Sequence, residues 1–206
     1  SELSGTVGVN ISIPTAAKAG DTLRVTVGTV VENITLTAAN ITAGSITREL
    51  TAPANGSTLQ VKAQLIDQAN NASSEGSDSA AIDTSLPTGS ISIDAITGDD
   101  FVSSGEAAGT VTITGKVSGE FRAGDVVTLT LTDASSANST FTGTVNAQGV
   151  YSISGVQGSK LASDANTQIS AKVAAHDAAN NTAEYTATRS YTLDSNANAD
   201  KTTLSL

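Results

Sequence analysis

The chain has 206 residues, no cysteine, methionine or tryptophan, and a net charge of -10 at pH 7 from 20 acidic and 10 basic side chains. This composition excludes disulfides, zinc–thiolate sites and a tryptophan-centred core, and the negative charge disfavours nucleic acid and anionic membranes as partners. No apolar run approaches the roughly 18–20 residues of a membrane helix, so we expect no membrane insertion.

An internal repeat covers most of the chain. Ala19-Gly20-Asp21 recurs as Ala123-Gly124-Asp125, an offset of 104 residues, and Asp67-Gln68-Ala69-Asn70-Asn71 recurs as Asp177-Ala178-Ala179-Asn180-Asn181, an offset of 110. The drift in offset indicates longer loops in the second copy. A period of this length is too long for a solenoid repeat and suits a whole β-sandwich domain of about 100 residues.

The apolar residues of the second copy alternate with polar ones, which predicts β-strands, and no stretch has a sustained helical period. In chain order the predicted strands are marked by Ile91 and Ile93; Val111 and Ile113; Val127, Leu129 and Leu131; Ser139 to Val145; Tyr151 and Ile153; Ile169, Ala171 and Val173; and Tyr191 and Leu193. Seven short strands at this spacing are typical of an immunoglobulin-like sandwich. The predicted fold class is all-β, with two tandem immunoglobulin-like Greek-key β-sandwich domains.

The repeat also predicts the domain boundaries: 1–83, 84–194, and a linker with the first strand of a following repeat at 195–206. Glu2 aligns with Glu106, which follows the first strand of the second copy, so we expect the first domain to lack its leading strand. The segment Lys201–Leu206 resembles Thr88–Ile93, where that strand begins. We therefore expect a partly open first sandwich or strand exchange between molecules, because an unpaired sheet edge attracts another strand.

Acidic and amide side chains cluster where these strands are predicted to end, and such oxygen donors are the ligands that Ca²⁺ prefers. The candidate ligands are Glu2, Asp67, Asn70, Asp83, Asp99, Asp100, Glu106, Asp125, Asp177, Asn180, Asp194, Asn196, Asn198 and Asp200. Asp194, Asn196, Asn198 and Asp200 place oxygen donors at alternate positions, as at the start of an EF-hand loop. However, Ala199 stands where that loop needs glycine, and Ser205 where it needs glutamate. The alternative is that these residues only form tight turns, which also select Asp, Asn and Gly.

The strand order of a sandwich predicts how these residues group at the two ends of each domain. We expect Asp99, Asp100 and Glu106 to lie near Asp194. The predicted junction site brings together Asp125, Asp177 and Asn180 of the second domain with Asp83 and Glu2 of the first.

Catalytic patterns in the sequence are weak, and we predict no enzyme. His176 is the only histidine, and no nucleophile elbow accompanies it, so we expect it to be an exposed residue at a loop entrance. Asp99 and Asp100 resemble a glycosidase pair, but the chain lacks the aromatic residues that usually bind sugars.

Threonines at alternate positions offer a flat binding array. They are Thr128, Thr130 and Thr132 in one predicted strand and Thr110, Thr112 and Thr114 in another. Threonine is also simply favourable on an exposed strand face, and this is the plainer interpretation.

The loop motifs resemble those of a known family. Ile91 to Asp100 (ISIDAITGDD), Gly105-Glu106-Ala107-Ala108, Ala123-Gly124-Asp125 and Asp177 to Asn181 are similar to the bacterial immunoglobulin-like extender repeats of large RTX adhesins. The resemblance implies a calcium-stiffened spacer of a Gram-negative cell-surface protein, exported by type I secretion, that holds a distal binding domain away from the cell. The family includes ice-binding and biofilm adhesins, and its repeats neighbour one another in the same chain.

Two other functions remain open at this point. The chain could be a ligand-binding module for carbohydrate or ice, which would need a flat or concave site with aromatic or regular threonine clusters. It could also be an accessory domain of a secreted enzyme, although such a domain would not normally recur with the same loop acids. The repetition favours the extender.

Overall fold

The computed structural model describes residues 5–194. The chain divides into two compact units, unit 1 (Ser1–Ser85) and unit 2 (Leu86–Leu206). Within the described residues, no helix is long and apolar enough to cross a membrane.

Unit 1 contains two antiparallel sheets. Its strands are β1 (Thr6–Ser12), β2 (Thr22–Val27), β3 (Val30–Thr35), β4 (Ser45–Thr51), β5 (Thr58–Ile66) and β6 (Gly76–Ala81). The small sheet has the order β1-β4 and the large sheet the order β3-β2-β5-β6. A short helix, α1 (Ala38–Ala43), connects β3 to β4 and begins with a capping box between Thr37 and Asn40.

The core of unit 1 is purely aliphatic, because every aromatic residue of the chain lies in unit 2. Alternate residues of the strands point inward, as the period of two predicts. The buried residues are Ile11, Ile13, Ala17, Leu23, Val25, Leu36, Leu59, Val61 and Ile82.

Unit 2 repeats this topology with additional strands. Its strands are β7 (Gly89–Ile93), β8 (Phe101–Ser103), β9 (Thr110–Gly119), β10 (Val126–Thr132), β11 (Asn138–Thr144), β12 (Val150–Gln157), β13 (Gln168–His176), β14 (Thr182–Ser190) and β15 (Thr192–Asp194). Its short helices are α2 (Ser104–Ala107), α3 (Gly158–Ala162) and a 3-10 turn at Ile96–Gly98.

The sheets of unit 2 have the orders β12-β9-β7 and β11-β10-β13-β14, and β15 pairs in parallel with β8. Strands that are distant in sequence, such as β9 and β12, are neighbours, as in a Greek key. Five aromatic residues belong to the core: Tyr151 and Tyr191 are buried, and Phe121, Phe141 and Tyr185 are partly buried against it. The all-β immunoglobulin-like prediction is confirmed.

The equivalence of the two units follows from their strand orders. β1 to β6 correspond to β9 to β14, and unit 1 has no counterpart of β7 among its described residues. Among the described residues, the small sheet of unit 1 therefore has two strands where unit 2 has three.

The prediction of seven strands in the second copy was incomplete, because the described part of unit 2 has nine. Strand β14 was missed since its inward positions are filled by Ala183, Tyr185, Ala187 and Arg189, which give a weak apolar signal. Strand β8 has three residues and is too short to show a period.

Candidate metal-binding loops

The strand order gathers the candidate residues at the two ends of unit 2. The loops before β10 and after β13 carry Asp125, Asp177 and Asn180, and we name this the Asp125 end. The opposite end carries Asp99, Asp100, Glu106 and Asp194, and we name it the Asp194 end.

Asp125 is a buried carboxylate with three hydrogen-bond donors. Its Oδ2 accepts from the backbone N–H groups of Arg122 at 2.8 Å and His176 at 3.0 Å, and its Oδ1 lies 2.7 Å from Nδ1 of His176. Burial alone would raise the pKa of Asp125, but these hydrogen bonds and the charge of His176 outweigh it and lower the pKa. His176 is thus half-buried against Asp125, which differs from the exposed position that we expected.

The loop from Asp177 to Asn181 folds around its own carboxylate. Asn181 donates to Asp177 through its side-chain nitrogen at 2.9 Å and its backbone N–H at 2.8 Å. The side-chain hydrogen bond is the main cause that lowers the pKa of Asp177. Asn180 adopts a left-handed conformation with φ of 70°, which asparagine tolerates better than most residues.

Arg122 adds a cation to this loop. Its guanidinium donates to Oδ1 of Asn180 at 3.0 Å and to the carbonyl of Ala178 at 2.7 Å. One oxygen atom of the predicted calcium site, Oδ1 of Asn180, therefore already accepts a hydrogen bond from a positively charged group.

Unit 1 repeats the loop geometry. Asn71 donates to Asp67 at 2.8 and 2.9 Å and lowers its pKa, chiefly through its side chain, and Asn70 is left-handed with φ of 66°. Asp21, the buried equivalent of Asp125, accepts from the N–H of Lys18 at 2.8 Å.

At the Asp194 end, Asp100 is held by an arginine. Its Oδ1 accepts from Nε of Arg189 at 2.7 Å and from the N–H of Ile96 at 2.9 Å, and its Oδ2 accepts from Nη2 of Arg189. The hydrogen bond from Arg189 is the main cause that lowers the pKa of Asp100. Because Asp100 is paired with a cation, it does not face a second carboxylate as in a glycosidase pair.

The other acids at this end are bound to local backbone groups. Asp99 accepts from the N–H of Phe101 at 3.0 Å, and Glu106 accepts from the N–H and hydroxyl of Ser103 at 2.9 and 2.8 Å. Asp194 lies opposite Ser103 in the β8–β15 pair. The structure thus brings Asp194 next to the loop of Glu106.

Asp164 is a buried carboxylate that sequence analysis missed. It accepts from the N–H groups of Thr132 and Gln168 at 3.1 and 2.7 Å and from the hydroxyl of Tyr191 at 3.1 Å. A single aspartate in a polar loop gives no sequence signal, and no repeat residue marked this position.

The remaining candidates are less informative. Asp83 accepts from the N–H of Ser85 at 3.0 Å. Four candidates lie outside the described residues: Glu2, Asn196, Asn198 and Asp200.

The potential ligand atoms in these loops are of the type that Ca²⁺ binds, because carboxylate, amide and carbonyl oxygens predominate there. In the described part of the chain, however, no group of three or more acidic or histidine side chains is arranged to hold a metal ion.

The threonine rows do not form one array. Thr128, Thr130 and Thr132 lie on β10 in the four-stranded sheet, whereas Thr110, Thr112 and Thr114 lie on β9 in the three-stranded sheet. The flat array that would combine both rows, the alternative to plain exposed strand faces, is therefore not formed, because β9 and β10 belong to different sheets.

No family model and no curated protein match the chain, but solved structures do. Part of a 1.5-MDa bacterial ice-binding adhesin is 32% identical over 92% of this chain and 58% of that chain, with a TM-score of 0.61. A Ca²⁺-stabilised adhesin that helps an Antarctic bacterium bind ice is 31% identical over 94% of this chain and 45% of that chain, with a TM-score of 0.63. A bacterial immunoglobulin-like domain of the M. primoryensis ice-binding adhesin is 39% identical over 53% of this chain and 100% of that domain, with a TM-score of 0.46.

The chain belongs to the bacterial immunoglobulin-like domains of large adhesins. It spans about half the length of the first two adhesin structures, at 58% and 45%.

Proposed function

We propose that this chain is a calcium-rigidified extender of a secreted bacterial cell-surface adhesin, and that it has no enzymatic activity. The observation that carries the proposal is the repetition of one strand order and one pattern of loop acids in both units. The similarity to ice-binding adhesins over more than nine-tenths of the chain supports it. On the resemblance of the loop motifs, we assign the parent protein to the RTX adhesins of Gram-negative bacteria, which use type I secretion and include biofilm adhesins.

The Asp194 end of unit 2 is the calcium site that we favour. Asp99, Glu106 and Asp194 supply carboxylates there, and Arg189 is already paired with Asp100. Because Ca²⁺ takes six to eight oxygen ligands, the ion would need further donors. We assign these to Asn196, Asn198 and Asp200, which follow directly in the sequence.

The other candidate ligands would form weaker sites. At the Asp125 end, calcium would have to displace the guanidinium of Arg122 before Oδ1 of Asn180 could coordinate it. In unit 1 we retain Asp67, Asn70, Asp83 and Glu2 as proposed ligands. The proposed partners of the chain are neighbouring repeats and, through strand exchange, other copies.

The test compares melting temperature and maximum dimension by small-angle scattering in calcium and in chelator. When the calcium concentration is 100 times the Kd of a site, binding stabilises the fold by about 2.7 kcal/mol. This corresponds to a rise in melting temperature of roughly 10 °C or more for a domain of ~100 residues. The double variant Asp99→Ala with Asp194→Ala should lose most of this rise. Asp133→Ala is the control, because this half-buried acid lies in the β10–β11 turn outside the proposed sites, so its loss should change the melting temperature equally in calcium and in chelator. Equal melting temperatures and dimensions with and without calcium would refute the proposal.

A further inference from the structure

One arginine joins the loop from Asp177 to Asn181 to the loop before β10. The guanidinium of Arg122 donates from Nη1 to Oδ1 of Asn180 at 3.0 Å and from Nη2 to the carbonyl of Ala178 at 2.7 Å. These hydrogen bonds span 58 and 56 residues of sequence. Because the N–H groups of a guanidinium form a rigid planar fork, one arginine can bind two oxygens of the same loop. Arg122 therefore fixes this loop against the start of β10.

The two oxygens that Arg122 binds are of the kind that a calcium ion uses. They are a side-chain amide oxygen and a backbone carbonyl, and the carboxylate of Asp177 lies in the same loop. The side-chain hydrogen bond from Asn181 is the main cause that lowers the pKa of this carboxyl, and the charge of Arg122 adds to it. The chain itself thus supplies donors and a positive charge to the oxygens of this loop.

Unit 1 joins the equivalent loops with a different group. Lys18 occupies the position of Arg122, one residue before the repeated Ala-Gly-Asp motif. The hydrogen bond between the loops runs in the opposite direction there, from Nε2 of Gln68 to the carbonyl of Ala19 at 3.1 Å. Gln68 is the repeat equivalent of Ala178. The joining donor is therefore a neutral amide in unit 1 and a cation in unit 2.

We propose that Arg122 is the internal cation of the Asp125 end, which holds the Asp177–Asn181 loop in place without a metal ion and competes with calcium for Asn180. The inference deepens the weaker calcium binding that the proposed function assigns to this end, and in that respect rests on it. The guanidinium would lie within about 6 Å of a cation on Oδ1 of Asn180, because hydrogen-bond and metal-ligand distances to one oxygen add to less than this. Repulsion at that distance should weaken calcium binding about tenfold even at the dielectric constant of water.

The effect of Arg122 on stability should be confined to the loop. Arg122 is exposed, and interactions of exposed charged groups contribute little to the stability of a whole domain. The backbone N–H groups of Asn180 and Asn181 donate to the carbonyl and the carboxylate of Asp177 at 3.2 and 2.8 Å. Opening of the loop breaks these two hydrogen bonds and exposes both N–H groups to solvent. Hydrogen exchange at the two amides therefore measures how firmly the loop is held.

The experiment follows the backbone amides of isotope-labelled protein by NMR, in chelator and during a calcium titration. The variant Arg122→Gln removes the charge and keeps a side-chain amide. The matched control is Lys172→Gln, because it also removes one positive charge, from an exposed ion pair with Glu184 on the sheet surface.

Arg122→Gln should change both measurements at the loop. In chelator, exchange at Asn180 and Asn181 should be up to about fivefold faster than in the parent chain, because the hydrogen bonds from Arg122 are lost. The Kd for calcium, taken from the amide shifts of the same loop, should be about tenfold lower than in the parent chain, because the competing charge is gone. Lys172→Gln should match the parent chain in both respects.

Arg122→Lys separates the charge from the planar fork of the guanidinium. It keeps the positive charge, so the Kd for calcium at the loop should stay within a few-fold of the parent value. It cannot reproduce the geometry of the two hydrogen bonds, so exchange at Asn180 and Asn181 should be faster than in the parent chain. A Kd as low as that of Arg122→Gln would show that charge is not what opposes calcium here.

Three other results would overturn the inference. Equal Kd values in the parent chain and Arg122→Gln, or no calcium binding by the loop in either, would show that Arg122 does not compete with the ion. An equal gain in Lys172→Gln would assign the effect to net charge, and unchanged exchange in Arg122→Gln would show that the loop does not need the arginine. The amides of Asp99 and Ser103 report the Asp194 end in the same spectra. A missing calcium response there would refute the calcium site of the proposed function and leave the inference on Arg122 standing.

Discussion

The imidazole Nδ1 of His176 lies 2.7 Å from Oδ1 of Asp125, and the backbone N–H of His176 donates to the other oxygen at 3.0 Å. This contact ties the end of β13 to the start of β10. The net effect of its surroundings is to lower the pKa of Asp125. A carboxyl whose pKa is lowered by folding stabilises the fold above its unfolded-state pKa of about 3.9, and this contribution is lost as the pH falls through the folded-state value.

We therefore expect Asp125→Asn to reduce the free energy of unfolding of unit 2 by about 1–3 kcal/mol at neutral pH, because buried hydrogen bonds to a charged acceptor are lost. The difference from the parent chain should shrink as the pH falls below about 4. Urea unfolding followed by tyrosine fluorescence reports unit 2 alone, since Tyr151, Tyr185 and Tyr191 are the only tyrosines.

Asp21→Asn is the matched control, because Asp21 holds the equivalent position in unit 1 and Ile66 replaces His176 there. It should leave the tyrosine-detected transition unchanged. A difference between Asp125→Asn and the parent chain that persists at low pH would contradict the assigned role of the carboxylate.

Tyr151 and Tyr191 make unit 2 sensitive to high pH. The hydroxyl of Tyr151 donates to the carbonyl of Ser92 at 2.8 Å, and that of Tyr191 donates to the carbonyl of Leu161 at 2.7 Å. Burial is the main cause that raises the pKa of both tyrosines, with nearby aspartates adding to it. A group with a raised folded-state pKa stabilises the fold below its unfolded-state pKa, which is about 10 here, and this contribution is lost as the pH rises further.

We expect the stability of unit 2 to fall steeply above about pH 10. The absorbance of Tyr151 and Tyr191 as tyrosinates should appear together with the loss of near-ultraviolet circular dichroism. Tyr191→Phe should remove part of the absorbance change and cost stability at neutral pH, since it leaves Asp164 without one donor. Tyrosinate absorbance from all three tyrosines in a chain that is still folded would show that burial does not protect these hydroxyls.

The alternation of large aliphatic residues was enough to predict the sheets, because a period of two fixes which residues face the core. Strand β13 illustrates this with Ile169, Ala171 and Val173, all of which are 0% exposed. Strand β14 carries only alanine, tyrosine and arginine at its inward positions, and its place in the sheet depends on pairing with β13. Pairing between strands is a tertiary property that a local period does not report.

The candidate site was predictable only in part for a similar reason. Repeated motifs identified Asp125 and Asp177, since the same loop occurs twice, but they gave no sign of His176, which contacts Asp125 from 51 residues away. Asp164 is bound to three groups that are separated in sequence, and its own neighbours in the chain carry no motif. Hydrogen-bond partners that only folding brings together have no fixed separation in the sequence, so no sequence motif identifies them.

The two units fill one equivalent position of the small sheet in opposite ways. In unit 2, Gly115 of β9 lies opposite Tyr151 of β12, and in unit 1, Ile11 of β1 lies opposite Ile46 of β4. A Cβ atom on Gly115 would come 2.3 Å from the hydroxyl oxygen of Tyr151 and 2.1 Å from the carbonyl of Ser92. Unit 2 thus has a glycine opposite a tyrosine at this position, whereas unit 1 has two isoleucines of intermediate size. Both combinations keep the core filled.

This relationship predicts a non-additive pair of substitutions. Gly115→Ala should destabilise unit 2 by about 1–3 kcal/mol or more through overpacking. Tyr151→Ile should cost about 1–3 kcal/mol or more, because it leaves a cavity and leaves the carbonyl of Ser92 without its donor. The double variant should be more stable than the sum of the two, with a coupling of about 0.5–3 kcal/mol, because removing the ring relieves one of the two close contacts. Gly109→Ala is the control within unit 2, since its Cβ would meet only the carbonyl oxygens of Gly105 and Glu106, at 3.6 and 3.8 Å. Urea unfolding detected by Tyr185 and Tyr191 measures all of these changes in unit 2, and strict additivity would show that the backbone carbonyl of Ser92, not the ring of Tyr151, requires glycine at position 115.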